Sequence, residues 1–230
     1  MYHKEIIVNE GETNMEKQQN LIDGILALNQ DHTTEKQRKV IEATIDTFAQ
    51  KGFAATSTSE IAKKAGVSEG TIYRHYKTKK DLLMSIITPT ITRLMAPLVM
   101  KDFDKVLNQQ FDSYEDFLRK ILKSRIHFIE MNLPVLKIFI QELAFHQELQ
   151  EQYKKHIATP LWERLTMVIE HFQQKGEIAR LPIPTVIQIT FSSIFGFLYM
   201  KFLVDSNFEW DDERELDRMI HVIMNGLAAK

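Results

Sequence analysis

The chain has 230 residues, 44% of them hydrophobic, with 29 Lys+Arg against 31 Asp+Glu and no cysteine. That much apolar material suits one larger or two smaller domains with a real core, and the absence of cysteine excludes a disulfide framework and thiol-based redox sensing. No basic segment followed by an apolar run opens the chain, so a cytoplasmic location is expected rather than a secreted one.

Residues 1–33 form an acidic N-terminal extension, with two basic and six acidic side chains. Glu10-Gly11-Glu12 can be encoded by a purine-rich stretch resembling a ribosome-binding sequence shortly before Met15. Translation from Met15 is therefore an expectation, which the intact mass of the native protein decides. Leu21, Ile22, Ile25 and Leu28 fit a short extra helix; the alternative is a mobile acidic tail.

From Thr34 onward the caps become explicit. Thr34 and Gln37 form a capping box, followed by an apolar stripe of Val40, Ile41, Ile45 and Phe48 that ends near Gly52. Thr44 is the one polar member of that stripe and can pack inward if its hydroxyl bonds a carbonyl of the preceding turn. Ser57 and Glu60 form a second box, with Gly66 as the left-handed residue that closes a two-turn helix. Ser68 can cap a third short helix, and Thr78 with Asp81 starts a fourth, carrying Leu82, Leu83, Ile86 and Ile87. Helix, tight glycine turn and helix is the helix-turn-helix order, here spanning 57–76. Residues 34–82 hold ten basic and six acidic side chains, a local excess of positive charge that the near-neutral whole chain conceals.

Phe53, Ala55-Thr56-Ser57-Thr58, Glu60-Ile61-Ala62, Ala65-Gly66-Val67-Ser68, the run from Gly70 to Tyr76, and Lys77-Thr78-Lys79 with Asp81-Leu82 resemble, in register, the N-terminal domain of TetR/AcrR-family transcriptional regulators. The resemblance covers about fifty residues. It implies an all-α protein with a three-helix DNA-binding domain over 34–95, a helical effector-binding and dimerisation domain over 96–230, and a homodimer. The second helix of such a motif enters the major groove by its N-terminal end. That places Ser68, Gly70 and Thr71 nearest the bases, with Gly70 permitting close approach and Arg74 able to read guanine or hold a phosphate. Thr58, Tyr73, His75 and Lys79 resemble the family's phosphate-contacting positions, which set register and affinity. Ile72 and Tyr76 are expected in the core. Glu69 is out of character beside a phosphate: it either accepts from a cytosine amine or turns sideways to favour the helix N-terminus, and the second is preferred.

Beyond Leu83 the pattern is helical, with helices expected at 80–98, 113–131, 133–146, 148–175, 184–205 and 211–228. Pro89 either breaks the connector or makes it a hinge through which a ligand moves the DNA-binding domains. The run from Thr185 to Val204 is long enough to cross a membrane, but Gln188, Lys201, two serines and a glycine favour a helix buried on all sides. The resemblance assigns Ile187, Phe191, Ile194, Phe195, Leu198 and Phe202, with Leu216, Ile220, Ile223, Met224 and Leu227, to a bundle with a second subunit, and Ser192 and Gly196 to close helix approach. Effector contacts are expected from His127, Glu142, His146 and Trp162, polar groups among aromatics. No metal, cofactor or membrane is expected, nor an enzyme, since no phosphate loop, nucleophile elbow or metal motif occurs. The reading is a ligand-responsive regulator, most naturally a repressor, that binds a near-palindromic double-stranded DNA operator as a dimer and is released by a small apolar or amphipathic effector. The alternative is an effector-independent architectural or protein-interaction factor of the same fold.

Overall fold

The computed structural model describes residues 24, 25, 27, 34–108, 111–204 and 211–227, and among these all regular structure is helical. The expectations for Met15, Leu21, Ile22 and Leu28 lie outside the described residues. Ile25 is described: it is helical and fully buried in the same apolar cluster as the helix-turn-helix core. At this residue at least, the N-terminal extension is part of the fold.

Helix α1 (Glu35–Lys51) opens with the full Thr34–Gln37 capping box and buries Val40, Ile41, Ile45 and Phe48. Thr44 joins that buried stripe because its hydroxyl donates to the Val40 carbonyl at 2.6 Å. Helix α2 (Thr58–Ala65) is capped by Ser57 alone, since the Glu60 carboxylate pairs with Lys51 instead of returning to the cap. The chain then reverses at Gly66, whose φ of 67° is the left-handed value that a Cβ would penalise. Helix α3 (Glu69–His75) follows after Ser68, and α4 (Lys79–Pro89) starts with the reciprocal Thr78–Asp81 box. Ser68 stands at the cap position of α3 without a side-chain capping bond; its hydroxyl meets that of Thr71 at 3.0 Å instead.

The connector is continuous. At Pro89 α4 passes into a π-helical turn, Thr90–Met95, and then into α5 (Ala96–Leu107). Proline brings no N–H to the ladder, and the wider turn accommodates that loss. Helix α6 (Tyr114–Leu143) runs unbroken through Pro134, in place of the two helices expected over 113–131 and 133–146. Phe128 and Asn132 before the proline and Val135, Leu136, Ile138 and Phe139 after it are all buried, so one apolar stripe carries the helix across. The helix expected over 148–175 is α7 (Gln147–Tyr153), a π turn at Lys154–Ala158, and α8 (Thr159–Gln174), again with a proline, Pro160, just past the wide turn. Gly176 ends it. Helix α9 (Ile183–Tyr199) continues as a π turn to Val204, and α10 (Asp212–Leu227) closes the fold.

Two apolar clusters form the interior. One joins Ile25 and α1–α4 to the far half of α6, with Phe128, Val135, Leu136, Ile138 and Phe139, and to Leu149 and Ile157. The other joins the first half of α6 to α8, α9 and α10. The base of the helix-turn-helix unit is therefore buried against the larger helical body instead of hanging from a linker. By length and hydropathy, Lys79–Lys101 and Ile183–Val204 could each cross a membrane. Helix α9 is not buried on all sides within one chain: Phe191, Phe195 and Tyr199 are each about half exposed.

Candidate nucleic-acid interface

Helix α3 stands out from the body on its outer face. Ile72 is its buried residue and anchors it to the core, while Ser68, Glu69, Gly70, Tyr73, Arg74 and His75 are exposed and Thr71 is half-buried. Tyr76 is half-buried against the same core, and burial pushes its phenol pKa upward. A Cβ at Gly70 would meet only the Ser68 hydroxyl, at 3.9 Å. Nothing inside the protein demands glycine there, and a flat surface at that point lets another molecule approach the backbone.

Of the predicted phosphate-side residues, Thr58 and Tyr73 are brought together, whereas His75 and Lys79 contact other residues. Thr58, at the start of α2, lies within 3.0 Å of the Tyr73 hydroxyl and donates its own proton to Glu69 Oε1 at 2.5 Å. Glu69 does turn sideways, as the sequence reading preferred, but its contact is a side chain on the neighbouring helix. His75 Nδ1 meets Gln37 Nε2 at 3.1 Å, linking α3 to the first turn of α1. Lys79 points inward: its ammonium donates to the carbonyls of Phe53 and Thr56, both at 2.7 Å, and sits 4.3 Å from the centre of the Phe53 ring.

The four expected effector contacts do not converge. His127 is exposed on a shallow surface beside Lys123, Glu130 and Glu213. Trp162 is exposed on α8. Glu142 and His146 pair with each other at 3.2 Å, and His146 packs edge-on against Phe53, so both belong to the joint between α6 and the DNA-binding domain. The cavity of the larger domain lies elsewhere. It measures about 260 Å³ and is walled by Met95 and Val99 of the connector, Phe128, Leu136 and Phe139 of α6, and Phe191, Phe195 and Tyr199 of α9. Its two charged wall residues are Arg125 and Lys137. Burial draws the Arg125 guanidinium down to about 10, so it stays protonated at neutral pH. The sequence reading missed both. A cation on an amphipathic helix looks like solvent-facing charge, and only the position of each on the inner side of the α6 stripe could have marked them.

Residues 40–86 match the model for bacterial regulatory proteins of the tetR family. Over nearly its full length the chain resembles the HTH-type transcriptional regulator YvkB of Bacillus subtilis, 25% identical over 194 residues, 84% of this chain and 97% of YvkB. Residues 40–86 thus form a DNA-binding domain of the tetR type, and the chain as a whole resembles a regulator that carries one. Its fold is shared with a TetR-family regulator from Mesorhizobium loti, TM-score 0.59 at 19% identity, over 86% of this chain and 100% of that one. It is shared equally with the regulator FadR from Bacillus subtilis, crystallised with stearoyl-CoA, TM-score 0.61 at 20% identity, over 82% of this chain and 98% of FadR. The helix-turn-helix thus sits in the part matched by the family model, and the cavity in the part matched by fold.

Proposed function

We propose that this regulator is a ligand-responsive repressor that works in the cytoplasm as a homodimer, binding a near-palindromic operator and leaving it when a small amphipathic molecule fills the cavity. The observation that carries this reading is the wall shared by the cavity and the connector. Met95 and Val99 belong to the helical run that leads from Pro89 out of the DNA-binding domain, so an occupant touches the element that sets where α3 stands. A ligand shifts such an equilibrium only by its different affinity for two arrangements, and contact with a movable wall supplies that difference.

The dimer reading rests on α9. Phe191, Phe195 and Tyr199 stack in succession along one open face at 5.8 Å, and Gln188, Ser192 and Gly196 are exposed beside them. Small and polar residues among aromatics fit a second helix better than lipid. Two copies of α3 one DNA turn apart, ~34–36 Å, would read an inverted repeat. Ser68, Gly70, Thr71 and Arg74 would face bases, with Thr58, Tyr73 and His75 on phosphates, and Lys79 would support the loop beneath them.

An apolar cavity with Arg125 and Lys137 in its wall favours an effector with a hydrocarbon part and an anionic end. FadR's stearoyl-CoA is one molecule of that description. The test is a titration of the protein–operator complex with saturated fatty acids of eight to eighteen carbons, followed by fluorescence anisotropy of the DNA. Release by one or more of these acids, weakened about tenfold or more in Arg125→Met, is expected. Release by none of them, or release that Arg125→Met leaves unchanged, would remove the acidic-amphiphile reading.

A further inference from the structure

Glu69 is exposed at the start of α3, on the face that the groove reading gives to DNA. Thr58, buried at the start of α2, and the exposed Tyr73 carry the two hydroxyl groups that the phosphate reading assigns there; they meet at 3.0 Å, with the Glu69 carboxylate accepting from Thr58 at 2.5 Å. Glu69 is itself exposed and is the first residue of α3, so its side chain can leave Thr58 without disturbing the core. A carboxylate is an acceptor only. Facing a phosphate it has nothing to offer but repulsion; facing the major groove it can accept from the exocyclic amine of cytosine.

We propose that Glu69 is a specificity-determining residue, holding Thr58 and Tyr73 away from phosphate until a cytosine amine in the operator takes its carboxylate. On arbitrary DNA the carboxylate has no better partner than Thr58, so the two hydroxyls stay occupied and binding is weak. On the operator the carboxylate moves to a base and the hydroxyls pass to the backbone. One side chain thereby makes a phosphate contact, ordinarily blind to sequence, conditional on sequence. The proposal rests on the reading that α3 enters the major groove.

The experiment uses the full chain with two duplexes, one selected by the wild-type protein from a random-sequence pool and one of scrambled sequence, and compares wild type with Glu69→Gln, Glu69→Ala, Tyr73→Phe and each Glu69 change combined with Tyr73→Phe. Glu69 is on the surface, and thermal melting verifies that each variant is folded. Both Glu69 variants are expected to bind the scrambled duplex about tenfold more tightly at moderate salt and to lose a comparable part of their preference for the selected one. Tyr73→Phe should matter little for scrambled DNA in the wild-type background and about fivefold more once Glu69 is replaced. Additive effects of the two changes would mean that Glu69 acts by simple charge repulsion, and would overturn the proposal. So would an unchanged preference, or a repeat of the pool selection with Glu69→Ala that returns the same half-site. Arg74→Ala separates the two levels: if it abolishes binding to the selected duplex while the Glu69 variants behave as wild type, the groove reading stands and the Glu69 proposal falls. If the wild type selects no duplex at all, both fall.

Discussion

Lys79 shows how a cation in a DNA-binding domain can serve the fold. Its ammonium closes the loop between α1 and α2 by donating to the Phe53 and Thr56 carbonyls, and it lies over the Phe53 ring, whose edge meets His146. Phe53 is thus clasped between the start of α4 and the joint at the end of α6. Charge-assisted hydrogen bonds of this kind contribute about 1.5–3 kcal/mol each, net of the bonds to water that they replace. Lys79→Met is therefore expected to lower stability by roughly 2–4 kcal/mol in urea unfolding. Unchanged stability with weaker, less salt-sensitive DNA binding would place the ammonium on the phosphate backbone instead.

At the scale of the helices, local chemistry and tertiary packing divide the outcome. The Thr34 and Thr78 boxes, the Gly66 reversal and the inward-packing Thr44 depend on residues three or four apart, and all four were legible in the sequence. The Ser57–Glu60 box was half legible: the reciprocal bond is lost because Lys51, nine residues before Glu60, is the stronger partner for its carboxylate. The continuity of α6 was not legible, because what carries it past Pro134 is burial on both sides of the proline by elements distant in sequence. For the same reason the sequence could name aromatics and histidines of the larger domain but not say which would meet at a cavity. Pro134 itself is exposed, so its cost is not offset by packing of its ring. Pro134→Ala should restore the missing hydrogen bond and raise stability by about 1–3 kcal/mol. A thermal midpoint that does not rise would mean that the local geometry at Pro134 is already matched to its surroundings.

In the whole molecule, two apolar clusters meet along α6, and the cavity lies between them with the connector in its wall. On the proposed reading, that arrangement would let an occupant act on the DNA-binding face through the connector wall, Met95 and Val99. On the same reading a second subunit is needed, because an inverted-repeat operator is read by two copies of α3 one DNA turn apart. Several residues assigned to the subunit interface from sequence, among them Ile187, Phe202, Leu216, Ile220 and Ile223, are buried within the single chain, which leaves the exposed Phe191 and Phe195 for the proposed interface. Leu227 lies at the end of α10 and its side chain is outside the described residues. Native mass spectrometry of the protein on its selected inverted-repeat duplex tests this directly. Two chains of 26.9 kDa per duplex are expected, falling to free dimer and free duplex when a fatty acid that fills the cavity is added. A single chain per duplex, with the free protein monomeric at every concentration, would contradict the account.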